Sequence, residues 1–273
     1  MIQPASSIPQ AALAPQPRVA LVTGAAKRIG RQIALSLAQR GWDVAVHYGH
    51  SEADAATLVA EIQALGQRAV ALQADLSHEA EVRSLVPRAI AALGKLTCLV
   101  NNASLFEQDD AATFSPQCLN KHMQVNLSAP LLLAQALHAA TADGEQACVI
   151  NLLDQKLYNL NPDFLSYTLS KAALQCATTT LAQALAPRLR VVGIAPGISL
   201  ISGEQSEDNF ALAHQRTPLG RSSTPLDIAN TVCFVADSAA ITGTTILVDG
   251  GQHLIPLQRD VMFLANAKPA SPL

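Results

Sequence analysis

Short apolar runs alternate along this chain with longer stretches in which apolar residues recur every three or four positions. The short runs predict buried strands, and the longer stretches predict amphipathic helices. The predicted strands cover residues 18–23, 43–48, 68–74, 96–101, 146–152, 189–195 and 244–248. The predicted helices cover residues 28–40, 52–65, 79–93, 116–140, 163–186 and 225–237, with a shorter one near 206–215. This alternation predicts an α/β fold, a parallel sheet with helices on both faces.

The two ends of the chain differ in composition from the alternating region. Residues 1–17 are rich in Ala, Pro, Gln and Ser and carry no charged side chain, which predicts a disordered leader. Residues 18–254 show no internal linker, so a single domain is expected there. Residues 255–273 form a C-terminal extension with an apolar centre at 261–264, which is expected to fold back on its own subunit or to dock on a neighbour.

Composition and charge exclude several classes of function. The formal net charge is -3, so neither nucleic acid nor an acidic membrane surface is expected as a partner. The sequence contains neither a membrane-spanning apolar stretch nor a basic segment followed by an apolar run. The five cysteines are scattered, which is typical of reduced residues in a cytoplasmic protein; neither a disulfide framework nor a metal site is expected.

The segment 18–30 has the pattern of a phosphate-binding turn. A strand-like run leads through a glycine turn into a helix, so that free backbone N–H groups and the positive end of the helix dipole would face an anion. The residues placed to contact the phosphates are Gly24, Lys27, Arg28, Ile29 and Gly30. The same pattern can also serve only to join a strand to a helix, so the interpretation depends on the residues that follow the other strands.

The residues after the second and third strands bear on which dinucleotide would bind. Sites specific for NAD usually carry Asp or Glu about 20 residues after the glycine turn, and residues 47–51 include no acid. A 2′-phosphate would instead meet Lys27, Arg28, His50 and Ser51, so NADPH is the expected cofactor, with Asp75 placed to accept from the adenine amino group. The residues assigned to this part of the cofactor site are His47, Tyr48, His50, Ser51, Asp75 and Leu76. The alternative is that they are solvated loop residues.

Polar residues and one aromatic residue follow the fourth strand. Asn102, Ala103 and Ser104 are assigned to the cofactor site, although asparagines there could equally tie neighbouring strand ends together. Phe106 comes next, and an aromatic residue at this place belongs either to the core or a lid, or to a stacking platform for a ligand. Asn126 lies in the apolar face of a predicted helix and needs a partner, which is either a buried hydrogen bond or a water held beside a catalytic lysine.

The strongest catalytic pattern follows the fifth strand. Asp154 ends an apolar run, and Tyr167 and Lys171 lie four residues apart, so they share one face of a helix. The ammonium favours the phenolate and is expected to lower the pKa of Tyr167, which prepares the tyrosine as a proton donor near neutral pH. The turn after the sixth strand is expected to cover a nicotinamide with Pro196, Gly197 and Ser199.

Six of these segments together resemble the short-chain dehydrogenase/reductases. They are TGAAKRIG, NNAS, NLLD, YTLSK, APG and ITGTTILVDGG, in this order, over roughly residues 18–254. The resemblance implies a Rossmann-type, doubly wound, seven-stranded sheet, a nicotinamide cofactor and usually a homotetramer. It also places Asn126, Tyr167 and Lys171 on three members of the family's catalytic tetrad, with Lys171 binding the nicotinamide ribose.

Two departures from the general family pattern narrow the resemblance to the pteridine reductases, and bacterial dihydromonapterin reductases share several of the same segments. Arg28 replaces the middle glycine of the turn, and Asp154 stands where the tetrad serine is expected, thirteen residues before the tyrosine. The resemblance implies that Arg28 touches both pyrophosphate and pterin, that the pterin stacks on Phe106, and that Ser199 lines the site. Ser104, Asp154 and Tyr167 complete the expected substrate-binding set.

The sequence therefore predicts an NADPH-dependent reductase of pterins. An ionised aspartate cannot donate a hydrogen bond to a ketone oxygen, whereas a carboxyl whose pKa is raised in a closed site can give a proton to a ring C=N. The alternatives are a 3-oxoacyl-type carbonyl reductase and a non-catalytic NADP-binding regulator. An enoyl reductase would need Tyr at the position of Phe164. Whether Arg259 reaches a neighbouring site is left open.

Overall fold

The computed structural model describes residues 18–201, 207–215 and 217–266, which form one seven-stranded, all-parallel sheet with helices on both faces. The strand order is β3-β2-β1-β4-β5-β6-β7. The strands are β1 (Val19–Val22), β2 (Asp43–Tyr48), β3 (Ala69–Gln73), β4 (Cys98–Asn101), β5 (Ala147–Leu152), β6 (Leu189–Pro196) and β7 (Thr245–Val248). The predicted fold class is confirmed. The expected leader, residues 1–17, lies outside the described residues.

The helices follow the predicted order with small changes of boundary. They are α1 (Arg28–Ala38), α2 (Glu52–Ala64), α3 (Glu79–Leu93), α4 (Pro116–Met123), α5 (Ala129–Ala140), α6 (Leu165–Ala184), α7 (Glu207–Gln215) and α8 (Pro225–Asp237). Three 3₁₀ turns, which periodicity does not predict, cover Gln155–Tyr158, Gln252–Leu254 and Val261–Asn266.

Two helix predictions were wrong in detail. The single helix expected over 116–140 is divided by a π-helical turn at Gln124–Ser128. In such a turn a backbone carbonyl accepts from the N–H group five residues further along the chain. The helix expected from residue 163 begins only at Leu165, because Phe164 has a left-handed backbone (φ 57°). Both irregularities lie beside the site described below.

The core has two layers, one on each face of the sheet. All four residues of β1 are buried, and alternate residues belong to opposite layers: Ala20 and Val22 to one, Val19 and Leu21 to the other. The first layer is closed by α1, α2 and α8, and the second by α3, α5 and one end of α6. Burial on both faces explains why the strands are continuous apolar runs.

The direction of winding reverses between β1 and β4, which are neighbours in the sheet. In doubly wound sheets, ligands bind outside the carboxyl ends of the strands at this point. The glycine turn follows β1, residues 102–106 follow β4, and Asp154 lies just after β5. The topology therefore gathers at one edge the segments that the sequence singled out.

Membrane-spanning helices and metal-binding clusters are both absent from residues 18–201, 207–215 and 217–266. Among these residues no helix is both long and apolar enough to cross a membrane. In the same part of the chain, no group of three or more His, Cys, Asp or Glu side chains could hold a metal ion. All five cysteines are free thiols.

Candidate active site

The glycine turn after β1 is held against the end of β4 by hydrogen bonds. Gly24 has a left-handed backbone (φ 61°), which glycine adopts without a steric penalty. The Asn102 side chain donates to Thr23 O at 2.8 Å, and Thr23 Oγ1 accepts from the backbone N–H of both Asn102 and Ala103. Asn102 and Ala103, assigned to the cofactor site from sequence, thus shape the turn itself, which is the strand-tying role considered for the asparagines.

Gly30 has no room for a side chain. A Cβ built on it would lie 2.2 Å from Gly24 O and 2.5 Å from Asn102 Nδ2. The first turn of α1 therefore packs directly on the backbone of the glycine turn. This close approach leaves a backbone-lined cradle at the helix N-terminus, which fits the pyrophosphate of a dinucleotide.

Gly30→Ala is expected to destroy this cradle. The clash is with backbone, so the turn must move, which we expect to raise the Kd for NADPH more than about tenfold and to lower the free energy of unfolding by about 1–3 kcal/mol. NADPH fluorescence titration and thermal unfolding measure the two effects. Gly49→Ala is the matched control, because a Cβ there meets no atom within 4 Å. Equal NADPH affinity in the two variants would contradict the assignment of the cradle.

Arg28 occupies the first position of α1 in a left-handed conformation (φ 54°), which is uncommon for a residue other than glycine. Its guanidinium donates to Ile201 O at 2.9 Å, and both Arg28 and Ile29 line the cavity described below. Lys27 precedes the helix and forms an exposed ion pair with Asp54 (3.0 Å). Arg28 thus lies both at the N-terminus of α1 and in the cavity lining, and its contacts with pyrophosphate and pterin stay predictions.

His47 lies beneath the glycine turn. Its Nδ1 accepts from the backbone N–H of Gly24 at 3.0 Å, so the proton is on Nε2, which lies 3.1 Å from Ala74 O. Burial lowers the pKa of His47 to about 4, which keeps the ring neutral. Since both ring nitrogens are already used, the structure makes His47 a support for the turn, whereas sequence reasoning assigned it to the cofactor itself.

The remaining residues assigned to the adenosine side lie at the ends of β2 and β3. Tyr48 ends β2, and Ser51 precedes α2 without a side-chain bond to that helix. Asp75 accepts from the backbone N–H and the hydroxyl of Ser77, and these bonds lower the pKa of Asp75. Leu76 is buried. The adenine contact predicted for Asp75 and the phosphate contacts predicted for His50 and Ser51 stay predictions.

Asn126 clamps the loop that follows β4. Its Oδ1 accepts from the backbone N–H of Leu105 (2.7 Å), and its Nδ2 donates to Leu105 O and Ser170 Oγ (2.9 Å each). Ser104 Oγ lies 3.3 Å from the same Oδ1. The π-helical turn carries Asn126 to this loop, so the structure favours the buried hydrogen bond over the water. The water beside the catalytic lysine stays a prediction.

Asp154, Tyr167 and Lys171 lie together beyond β5, with Tyr167 and Lys171 buried and Asp154 partly buried. The Tyr167 hydroxyl donates to Asp154 Oδ2 at 2.7 Å, and the backbone N–H of Lys156 donates to Asp154 Oδ1 at 2.8 Å. Lys171 Nζ donates to Leu152 O at 2.7 Å and lies 5.8 Å from the centre of the Tyr167 ring. The predicted catalytic pair thus shares one helix face and meets Asp154 at the same place.

Burial dominates the proton affinities of these three groups. It raises the pKa of Asp154 and raises that of Tyr167 well above the ordinary tyrosine value, with the Asp154 charge adding to the latter shift. It lowers the pKa of Lys171 to about 8, although the charge of Asp154 partly opposes this. The expectation that Lys171 lowers the pKa of Tyr167 was wrong: the direct partner of the phenol is a carboxylate, and the ammonium bonds to a backbone carbonyl. Tyr167 keeps its proton at neutral pH.

Three phenylalanines form a stack beside Tyr167. Phe106 lies parallel to Phe164 with ring centres 4.3 Å apart, and it meets Tyr167 edge-on at 4.7 Å. Phe263 of the C-terminal extension follows at 6.1 Å from Phe164. Sequence reasoning named Phe106 as a platform but missed that Phe164 stacks on it. Phe106 is 38% exposed, and it lines the cavity.

Asp154, Tyr167 and Lys171 line one cavity of about 260 Å³. Of the residues assigned from sequence, those that line it are Arg28, Ile29, Asn102, Ser104, Phe106, Asp154, Tyr167, Lys171, Pro196, Gly197 and Ser199. Ser199 Oγ is turned back to Gly197 O at 2.9 Å. Lining residues that sequence reasoning missed include Lys156, Gln252, Asp260, Val261 and Met262. The last three belong to the C-terminal extension, whose apolar centre predicted docking on its own subunit or on a neighbour, but not its place at this cavity.

The glycine cradle, the switch point of the sheet and the buried Tyr–Lys pair define a nicotinamide-dependent oxidoreductase. A family model described as enoyl-(acyl carrier protein) reductase matches residues 24–253. The chain belongs to the short-chain dehydrogenase/reductase family. The predicted family and its nicotinamide cofactor are confirmed.

Three similar proteins show the range of activities near this chain. An uncharacterised oxidoreductase of Methylorubrum extorquens is 38% identical over 243 residues, which cover 86% of this chain and 97% of that protein. The 3-oxoacyl-[acyl-carrier-protein] reductase FabG of Staphylococcus epidermidis is 34% identical over 240 residues (86% and 98%). Among solved structures, FolM alternative dihydrofolate reductase 1 from Brucella canis, complexed with NADP, is 40% identical with a TM-score of 0.82 and covers 87% of this chain and 94% of its own.

Proposed function

We propose that this protein reduces pterins with NADPH, converting biopterin or a dihydropterin to the tetrahydro form. The observation that carries the proposal is the partly buried hydrogen bond between Tyr167 and Asp154, at a place where a hydroxyl side chain would serve a ketone. An ionised carboxylate repels a carbonyl oxygen, but one with a raised pKa takes up a proton and can pass it on. A ring C=N needs such a proton at nitrogen.

The chain's own residues supply the proton and hold the reactants. NADPH, when bound, supplies the hydride to the ring carbon. Tyr167 holds its proton at Oη in a hydrogen bond to Asp154 Oδ2, so the two groups share one proton that either can deliver, directly or through a water. Lys171, whose Nζ donates to Leu152 O and lies 5.8 Å from the centre of the Tyr167 ring, is the residue proposed to bind the nicotinamide ribose.

The preference for NADPH over NADH rests on charge at the end of β2. Residues 47–51 include no acid to repel a 2′-phosphate. The residues proposed to receive that phosphate are Lys27, Arg28, His50 and Ser51. Lys27 already pairs with Asp54, but both side chains are about half exposed. An exposed pair contributes only about 0–1 kcal/mol, so a phosphate can displace it. The NADP complex of the Brucella canis neighbour supports the same choice.

The substrate side of the cavity suits a flat, polar ring. Arg28 supplies a cation at one part of the lining, and Phe106 supplies an aromatic surface beside Tyr167. Aromatic rings bind planar heterocycles by offset stacking. The 40% identity to FolM alternative dihydrofolate reductase 1, an enzyme named for a pterin-containing substrate, supports this choice.

A carbonyl reductase of the 3-oxoacyl type is the second candidate. The relatives named FabG favour it, at 34% identity over nearly their whole length. Against it stands Asp154, because its Oδ2 accepts from the Tyr167 hydroxyl and the site has no serine-type hydroxyl at this place to donate to a carbonyl oxygen. Asn126, Tyr167 and Lys171 are all present, which argues against a non-catalytic regulator. Phe164 argues against an enoyl reductase, because the six-residue spacing to Lys171 would need tyrosine there.

Two further parts of the proposal rest on the resemblance and on composition. We propose a homotetramer, the usual assembly implied by the family, and a cytoplasmic location. The five free cysteines suit a reducing compartment. A single domain over 18–254, followed by a C-terminal extension, is the organisation we propose for the chain.

An assay of NADPH oxidation, measured as the decrease in NADPH absorbance, tests the proposed function. Purified protein is compared on biopterin, dihydrobiopterin, dihydromonapterin and dihydrofolate, with acetoacetyl thioester and simple diketones as the competing class. We expect turnover with pterins and at least about a hundredfold lower kcat/KM with ketones, equivalent to about 2.7 kcal/mol of discrimination. Turnover of ketones alone would mean that the protein is a carbonyl reductase, the second candidate. NADPH binding without turnover of any compound would favour the regulator.

A further inference from the structure

The C-terminal extension folds back along the substrate cavity of its own chain. The Asn159 side chain donates to Ile255 O and accepts from the backbone N–H of Leu257. These two bonds hold the start of the extension against the 3₁₀ turn that follows β5. Val261 and Met262 then reach the cavity lining. The segment Ile255–Phe263, here called the C-terminal wall, thus forms one side of the site.

A buried ion pair fastens this wall. Lys156 is 3% exposed, and its Nζ donates to Asn161 Oδ1 at 2.5 Å and to Asp260 Oδ2 at 2.9 Å. The Asp260 side chain is itself largely buried. A buried ammonium is unfavourable unless it is paired and hydrogen bonded, so these two partners account for its position. The pair joins residues that are 104 positions apart in sequence.

The same lysine touches the catalytic carboxylate through its backbone. The N–H of Lys156 donates to Asp154 Oδ1, while the side chain of Lys156 holds Asp260. The turn Gln155–Tyr158 therefore connects the position of the wall to the position of Asp154. A shift of the wall would be felt directly at the proton-donating pair.

A second set of contacts fixes the far end of the wall. The Arg259 guanidinium bonds to Asp163 at 2.9–3.0 Å, and the backbone N–H of Asp260 donates to Asp163 Oδ2 at 2.7 Å. Arg259 also lies over Phe263, which continues the stack through Phe164. Arg259 thus pairs within its own chain in this structure.

We propose that Asp260, through its ion pair with Lys156, is a positioning residue that sets the substrate specificity of this site by holding Val261 and Met262 as one wall of the cavity. This proposal rests on the proposed function for the identity of the substrate. It adds that the C-terminal wall limits the size of the substrate that the cavity accepts. Compact ring substrates fit behind the wall, and substrates with large substituents require it to move.

The test uses three variants of the full chain. Asp260→Asn and Lys156→Met each leave one partner unpaired, and Lys156→Met/Asp260→Asn removes both charges. Lys95→Met is the matched control, because Lys95 forms an ion pair with Glu145 away from the cavity. For each protein, kcat and KM are measured with a compact and a bulky substrate, dihydrobiopterin and dihydrofolate, alongside the Kd for NADPH.

We expect each single variant to raise the KM for dihydrobiopterin about tenfold, with a smaller fall in kcat and an unchanged Kd for NADPH. The ratio of kcat/KM for dihydrofolate to that for dihydrobiopterin is expected to rise, and the double variant to lose less than the two single losses combined. Partial unfolding alone would lower kcat and leave KM unchanged. An unchanged KM and an unchanged substrate ratio in both single variants would overturn the proposal.

Hydrogen exchange without substrate separates this proposal from the proposed function. We expect the amides of 255–263 to exchange faster in Asp260→Asn than in the wild type, while those of Lys95→Met exchange as in the wild type. If the wild type reduces only ketones, the proposed function fails, and the kinetic comparison is made with a short and a long acyl thioester. Unchanged exchange in Asp260→Asn overturns the role of the ion pair whatever the substrate.

Discussion

Tyr167→Phe is expected to lower kcat about 10²–10⁴-fold while the Kd for NADPH stays within about threefold of the wild type. The substitution removes only the hydroxyl group, and this group donates to Asp154 Oδ2 at the cavity. Proton delivery is therefore removed, whereas the glycine cradle and Lys171 remain in place. Steady-state NADPH oxidation and NADPH fluorescence titration measure the two quantities.

Tyr158→Phe is the matched control for that experiment. Tyr158 is 41% exposed, and its hydroxyl accepts from the Gln175 side chain instead of from a catalytic group. Its kcat is expected to stay within about twofold of the wild type. If Tyr167→Phe kept more than a tenth of the wild-type kcat, the assignment of Tyr167 as the proton donor would be wrong.

The fold was predictable because its signals are local. The central strands β1, β4 and β5 are buried on both faces, so they read as apolar runs, and the helices between strands show the period of an amphipathic helix. The switch-point rule then gave the edge of the sheet at which to look. Asp154, Tyr167 and Lys171 were found because their spacing and their place after β5 are both visible in sequence.

The parts that sequence missed depend on contacts between distant segments. The ion pair of Lys156 with Asp260 joins two segments that no period relates, so the apolar centre of the extension predicted docking without saying where. His47 has the residue type of a phosphate ligand, but its place beneath Gly24 is decided by the packing of β2 against β1. The left-handed backbone of Phe164 has no pattern either. The sign of the pKa shift at Tyr167 was mistaken because burial and a carboxylate partner outweigh a nearby ammonium.

Asp154→Ser is the change that discriminates most sharply between the two candidate functions. Serine restores a hydroxyl that can donate to a carbonyl oxygen, but it has no proton of suitable acidity to give to a ring nitrogen. We expect kcat/KM for dihydrobiopterin to fall about a hundredfold, and kcat/KM for acetoacetyl thioester to stay unchanged or to rise. The measurement is NADPH oxidation with both substrates on the same preparation, with thermal unfolding as the check on folding.

Asp154→Asn completes the argument because it keeps the shape of the side chain. Its amide oxygen can still accept from Tyr167, and its amide N–H₂ can donate to a substrate oxygen, but the group cannot take up and release a proton. If proton supply is the role of Asp154, the Asn and Ser variants lose pterin reduction to a similar extent. If Asp154 only orients Tyr167, Asn retains most of the activity and Ser does not. Equal losses with pterin and ketone in the Ser variant would remove the reason for placing this site with pterin reduction, since Asp154 would then serve both reactions alike.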